Sequence, residues 1–429
     1  MHSNFHLKIV IVAATVAVGL FAWSMPAAAQ TGQVTAIKAG RLFDAKSGTD
    51  LQNQVILVSG DRVTDVGPAA SVRIPAGAKV IDLSFATVLP GLIDGHVHLN
   101  DGKGDQMAEA MKMAEASLKA GFTTLVPQGS HGGGYTDVEL QKQIDSGKTM
   151  GPRLITAGPI VGQELKAKGA DQFRKALDEL HAHGAMHAKI VPNTGYSWDK
   201  QGKMSNVAVV SFDELKAAVD EAHKNGMFVA THSYGGPGLK DAIAAGVDDI
   251  QHATAADDDD IKALVAKHLP VTSTILDLRQ DEPADLLKWA PYSKFREMQK
   301  TWVKMMKAGV MLGFGSGATP VNGGGRIFDT ACQCSHGVQA EHFVVLTQWG
   351  ATPAYVLKMG TSVNAAILHK DKDLGAVEKG KYADIIATDG DPLQDITEIQ
   401  NVKFVMKGGQ VIKNDLAPKP NANQTAQAR

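Results

Sequence analysis

Short apolar, β-branched runs that close on a polar residue alternate along the middle of this chain with longer helical stretches, which is the pattern of parallel βα units. Eight runs read as strands: Leu92 to Leu99, Thr123 to Pro127, Arg153 to Ala157, Ala188 to Val191, Phe228 to His232, Asp249 to His252, Val271 to Ile275 and Val310 to Phe314. Helices are expected between most of them, for example over Asp105 to Ala120, Asp171 to His183, Phe212 to Asn225 and Asp260 to His268. Eight such units in about 280 residues fit a (β/α)8 TIM barrel, an α/β fold. An open doubly wound sheet fits the alternation too, but no Gly-x-Gly-x-x-Gly turn follows the first strand to favour a dinucleotide fold. The acidic run Asp257-Asp258-Asp259-Asp260 reads as the N-cap of the helix beginning at Ile261, because carboxylates favour helix N-termini and calcium loops space their ligands more widely.

The pattern changes at both ends. Thr35 to Ala39, Gln54 to Ser59, Arg62 to Val66 and Lys79 to Asp82 are β-rich and broken by turn residues, and similar segments return at Ala383 to Thr388 and Val402 to Ile412. The predicted organisation is therefore a small β-sandwich domain from residues 30–88 and 371–417, enclosing a barrel over 89–370. Residues 418–429, rich in Asn, Gln, Ala and Pro, read as a disordered tail. At the other end a short polar region with His6 and Lys8 precedes an apolar run from Ile9 to Trp23 and small residues up to Ala29, the pattern of a secretory signal peptide over 1–29. The run is short for a bilayer span. A periplasmic or secreted protein is expected, with no membrane association after cleavage.

At 429 residues with 44% hydrophobic content the chain can bury a large core, and a formal net charge of -2 with scattered basic residues gives no electrostatic reason to expect nucleic acid as a partner. Small molecules are the expected ligands. Only Cys332 and Cys334 are present, so disulfides are not the framework of an exported fold; without a second pair nearby, they read as loop cysteines rather than a metal site.

The candidate chemistry starts at Gly95-His96-Val97-His98, where an apolar strand ends in two histidines one residue apart. In an extended strand that spacing points both imidazoles to one face, and paired nitrogen ligands suit a divalent ion such as zinc. An isolated His-x-His is also compatible with a surface pair on an edge strand. The remaining strands argue for the metal: Lys189 lies in the fourth, His232 ends the fifth and His252 ends the sixth, so four histidines and a lysine converge where a barrel carries its functional groups. His131, in a glycine-rich loop, reads as an exposed loop histidine, with contact to a substrate carboxylate as the alternative.

With these residues in place the chain resembles the amidohydrolase superfamily, in particular its metal-dependent Xaa-Pro dipeptidases and ochratoxin-hydrolysing amidases. The carriers are Leu89-Pro90-Gly91-Leu92-Ile93-Asp94-Gly95-His96-Val97-His98, Gly121-Phe122-Thr123-Thr124, Gly151-Pro152-Arg153, Ala188-Lys189-Ile190, His232-Ser233-Tyr234-Gly235, Gly246-Val247-Asp248-Asp249-Ile250-Gln251-His252 and Gly380-Lys381-Tyr382-Ala383-Asp384. The resemblance implies two divalent metal ions, usually Zn2+, with His96 and His98 on the first, His232 and His252 on the second, and Lys189 bridging them after carboxylation by CO2. It also implies that Tyr234 donates to the developing oxyanion of a dipeptide-like or other small-molecule amide substrate, with lactone, carbamate or cyclic-amide hydrolysis as alternative reactions. Relatives assemble as symmetric particles, so a homo-oligomer is expected.

One position departs from that family. Its eighth strand ends in an aspartate that binds the first metal and accepts a proton, whereas here Gly313-Phe314-Gly315-Ser316-Gly317-Ala318 places Gly317 there. Three explanations fit: a substitution made to trap substrate, another base such as Asp329, or a protein that binds without turnover.

Overall fold

The computed structural model describes residues 33–100, 102–193, 197–198, 204–274, 295–320 and 335–416. The signal segment, the C-terminal tail, Asp329, Cys332 and Cys334 lie outside them.

Both chain ends meet in one seven-stranded sheet, ordered β17-β16-β15-β4-β1-β2-β3. Its N-terminal members are β1 (Thr35–Asp44), β2 (Thr49–Ser59), β3 (Arg62–Pro68) and β4 (Lys79–Pro90). The C-terminal members are β15 (Ile385–Thr388), β16 (Phe404–Lys407) and β17 (Gln410–Asn414). The two groups join where β15 pairs antiparallel with the last residues of β4, Ile385 opposite Pro90 and Thr388 opposite Thr87. A sandwich was expected; the described residues instead form this single sheet. The reason is that β4 offers two edges: β1 pairs along one, and β15 takes the other at its last residues, Thr87 and Val88 pairing with both, so the chain ends add side by side.

β4 runs into the next strand, β5 (Leu92–Val97), with only Gly91 between them. A Cβ at Gly91 would lie 2.1 Å from Thr123 Oγ1, so only glycine lets the chain pass there. β5, β6 (Phe122–Pro127) and β7 (Arg153–Leu154) form a parallel sheet. A second parallel sheet, ordered β14-β13-β12-β11-β8, holds β8 (His187–Ile190), β11 (Phe228–Ser233), β12 (Asp249–His252), β13 (Val271–Thr274) and β14 (Leu312–Gly315). Parallel bridges Val97 to Ala318 and Val161 to Ile190 link the two sheets. A two-residue pair, β9 (Ser197–Trp198) with β10 (Met204–Ser205), lies in a connecting loop. Each of the eight strand positions expected from the sequence falls on one of these parallel strands.

Helices α1 (Gln106–Lys119), α2 (Thr136–Asp145), α3 (Ala170–His183), α4 (Phe212–Lys224), α5 (Gly236–Ala245), α6 (Asp258–Lys267), α7 (Phe295–Ala308) and α8 (Glu341–Gln348) lie among the strands. Local chemistry sets their starts. Asp105 caps α1 by accepting from the Ala108 amide, Ser211 and Glu214 form a capping box on α4, and Asp257 with Asp260 does the same on α6. The acidic run is thus a helix cap, as its sequence predicted. The rings of Phe122, Phe314 and Phe343 stack between strands and helix, with centroids 5.8 Å apart for the first pair and 4.1 Å for Phe314 and Phe343. Burying each contributes on the order of 2 kcal/mol. Between the large sheet and the parallel strands, Tyr382 is held by Arg62 of β3 and Arg153 of β7, whose guanidinium carbons lie 3.6 and 3.7 Å from its ring centroid.

Candidate active site

The ends of β5, β8, β11 and β12 bring five expected residues together. His96 is buried at the end of β5, and His98 follows it, its backbone amide held by the Ala318 carbonyl at 2.7 Å. Their Nε2 atoms face each other at 3.1 Å. His232 of β11 and His252 of β12 form a second facing pair, with His252 Nε2 2.8 Å from His232 Nδ1. The pairs adjoin, the His96 and His252 ring centroids being 4.9 Å apart. Tyr234 completes the group: its ring stacks on His252 at 4.9 Å and meets His232 edge-on at 4.6 Å.

Backbone conformation explains how β12 reaches the site twice. Strand alternation would send Gln251 and His252 to opposite faces. His252 instead takes a φ of 82°, and Ala253 one of 50°, so the chain turns sharply and both side chains reach the histidine group. Non-glycine residues adopt that region at a cost of about 1–3 kcal/mol, and such strain concentrates at functional sites.

Electrostatics prepare these groups as ligands. Burial, then the Lys189 amine and neighbouring imidazoles, hold His96 well below the ordinary histidine value; burial comes first for His98 and His252 as well, and for His232 burial and Lys189 bring the value to about 3. All four are therefore neutral at pH 7, the state in which an imidazole binds a metal. Lys189 is itself buried, its Nζ has no hydrogen-bond partner among the described residues, and burial lowers its pKa to about 7. Its charge acts on all four imidazoles.

Do these residues fit a metal centre? Among the described residues no group of three or more His, Cys, Asp or Glu side chains stands as a complete ligand set. The arrangement is two nitrogen pairs beside an orphaned lysine. That set fits two ions only if Lys189 is an anion: as an ammonium it repels cations, whereas a carbamate supplies an oxygen to each side.

Side chains the sequence reading did not assign support the pairs from behind. His96 Nδ1 is 2.6 Å from Gln251 Oε1, and Gln251 Nε2 donates to Asp249. His252 Nδ1 contacts Thr274 Oγ1. Asp94 accepts from the His96 and Ser316 amides and from Ser316 Oγ, tying β5 to the end of β14; burial pushes its pKa up to about 7. Single polar residues inside strands carry no periodic signal, so only the register of β5 against its neighbours reveals them.

His131 adds to the group. It is exposed to solvent, as expected of a loop residue, yet its ring meets His98 edge-on at 4.2 Å, which makes it part of the site. Its φ of 45° is left-handed, and Glu164 fixes the loop by accepting from Ser130 Oγ, the Gly132 amide and the Ile160 amide.

β14 and the turn that follows it carry three glycines with different reasons. A Cβ at Gly313 would lie 2.5 Å from Asn364 Oδ1, and one at Gly315 2.7 Å from the His96 Cβ, so packing excludes any side chain at either. At Gly317 the nearest atoms belong to Thr274 at 3.5 Å, which leaves room, while the φ of 67° favours glycine.

The sequence profile of the amidohydrolase family matches residues 87–412. Among individual proteins, the ochratoxinase of Aspergillus niger is 23% identical over 90% of this chain and 88% of its own length. A solved Xaa-Pro dipeptidase with bound methionine in its active site superposes with a TM-score of 0.75 at 27% identity, covering 89% of this chain and 100% of that one. Molinate hydrolase superposes at 0.77 with 22% identity, over 89% of this chain and 95% of that one.

Proposed function

The chain belongs to the amidohydrolase family, and from that premise we propose that it hydrolyses the amide bond of a small peptide-like or N-acyl amino-acid substrate at a centre for two divalent metal ions. The parallel strands are read as the two arcs of a (β/α)8 barrel, and the site as its C-terminal mouth. One observation carries the proposal: two facing imidazole pairs, 3.1 and 2.8 Å apart, lie within the field of a buried lysine whose Nζ has no hydrogen-bond partner among the described residues. His96 and His98 would hold one ion, His232 and His252 the other, and Lys189 would bridge them as a carbamate. At a pKa of about 7 a large share of Lys189 is the free amine, which adds to CO2 with loss of one proton. Zinc is the favoured ion for such a nitrogen-rich set.

Bound ions would supply a water of lowered pKa and polarise the scissile carbonyl. The chain's own residues do the rest. Tyr234, packed on the second histidine pair, is placed to donate to the oxygen that gains charge when the carbonyl becomes tetrahedral. His131 and the loop clamped by Glu164 border the first pair and shape substrate entry. The amine leaves with a proton, and the acyl group leaves as a carboxylate. The ochratoxinase and dipeptidase relatives support an amide as the bond cleaved. The N-terminal segment supports action in the periplasm or outside the cell.

Gly317 favours a second reading, a metal-dependent binding protein with little turnover, because the position has neither a ligand nor a base. Metal analysis after growth with zinc tests the site: about two ions per chain are expected, and none would overturn it. Dipeptides, N-acyl amino acids and lactones, assayed with and without a chelator, then test the bond; cleavage of lactones alone would overturn the amide reading.

A further inference from the structure

Gln251 sits where its two ends do opposite things. Its Nε2 donates to Asp249, whose carboxylate also accepts from the Thr272 amide at 3.0 Å and from Thr272 Oγ1 at 2.8 Å. The whole cluster is buried, Gln251 and Asp249 being 0% and 2% exposed. Burial raises the Asp249 pKa to about 7, and above that pH an amide beside the carboxylate turns its NH2 toward it, since the reverse orientation sets two acceptors against each other. That leaves Oε1 as the group facing His96 Nδ1, 2.6 Å away. An acceptor there requires Nδ1 to carry the proton.

We infer that Gln251 is a positioning residue that fixes His96 as its Nδ1–H tautomer and so leaves the Nε2 lone pair facing His98, where the first metal ion would bind. The inference rests on the two-metal reading for its purpose but not for its geometry. In water the Nε2–H tautomer of histidine competes, and a histidine in that form offers no lone pair toward His98. The chain Thr272–Asp249–Gln251–His96 removes that choice before any ion arrives. It is anchored on two strands, β12 and β13, and crosses to β5, so the tautomer is set by strand register rather than by a mobile loop.

Among the described residues His252 of the second pair has no such device. His252 Nδ1 meets the hydroxyl of Thr274, which both donates and accepts and therefore leaves either tautomer open. The two metal positions consequently differ: the His96 position is prepared in advance, and the His252 position adapts.

The test uses the full-length protein without metal, labelled with 15N in histidine, the His96 signals being assigned by their loss in a His96→Asn variant. The wild type is expected to show His96 protonated on Nδ1, and Nε2 protonation would overturn the inference outright. In Gln251→Leu the acceptor is gone: His96 should populate the Nε2–H form, and zinc titration should show one of two ions weakened about 10- to 100-fold. Gln251→Glu combined with Asp249→Asn keeps an acceptor toward His96 and a donor behind it, and should restore both the tautomer and the affinity. An unchanged tautomer with both ions tight in Gln251→Leu would overturn the proposal. Should Gln251→Leu not fold, the wild-type spectrum and the Gln251→Glu, Asp249→Asn double variant decide the question. A wild type that binds no metal but shows Nδ1–H overturns the two-metal reading while leaving the tautomer assignment standing.

Discussion

The amide of Gly317 donates to the carbonyl of His96 at 2.8 Å, so the residue that lacks a carboxylate is bonded directly to the backbone of a proposed metal ligand. An aspartate at 317 would start next to the first histidine pair, with Thr274 3.5 Å from its Cβ and no backbone in the way. Gly317→Asp is therefore expected to fold, at a cost of about 1 kcal/mol for its left-handed φ, and to raise amide hydrolysis by about 10²- to 10⁴-fold by restoring a base. Steady-state kinetics on the zinc-loaded variant checks this. A folded, metal-loaded Gly317→Asp no faster than the wild type would favour the binding-protein reading.

Tyr234 touches both histidines of the second pair through its ring, so removing only its hydroxyl leaves that packing intact. Tyr234→Phe should keep its metal and its melting temperature while kcat falls about 10²-fold, the size of losing one oxyanion donor. Equal kcat in the two proteins would remove Tyr234 from the chemistry.

Glu164 holds three groups of the entrance, Ser130, Gly132 and Ile160, and through them the backbone beside His131. Glu164→Ala should release this loop, raising KM about tenfold, worth 1.4 kcal/mol of binding, with a smaller change in kcat. A larger loss in kcat than in KM would place the loop in catalysis rather than substrate entry.

Asp137, at the start of α2, accepts from the Val138, Ala157 and Gly158 amides, yet burial raises its pKa to about 6. In the unfolded chain it titrates near 3.8. The folded chain therefore holds the proton more tightly, and the stability this provides is complete below that lower value and lost as pH rises through about 6. The full span corresponds to roughly 3 kcal/mol. Relative to Asp137→Asn, which stays neutral, the wild type should lose its advantage between pH 4 and 7 in urea denaturation; a constant difference would refute the assignment.

The parallel strands were legible because each is a compact apolar run ending in a polar residue, and the metal candidates because they sit at those ends. His96, His98, Lys189, His232 and His252 are brought together where the strand ends predicted. What escaped is set by geometry that the pattern does not encode. His131 is an exposed loop residue, and only the fold of its loop, held by Glu164, shows that its ring meets His98. Gln251 and His252 face the same site only through a left-handed backbone at His252. The single terminal sheet depends on β4 taking β1 on one edge and β15 on the other, a matter of strand pairing rather than composition.

That sheet also dictates an order of assembly. β4 gains its β15 neighbour from residues 295 to 301 positions later, Pro90 meeting Ile385 and Thr87 meeting Thr388. While the chain is being synthesised, this end of β4 is an unpaired edge made of buried-type residues, Val88 and Leu89 among them. Contacts this distant in sequence form slowly. The growing polypeptide must keep that edge from aggregating until its last strands emerge, which makes the C-terminal segment the lock that closes the fold and truncation there a route to misfolding.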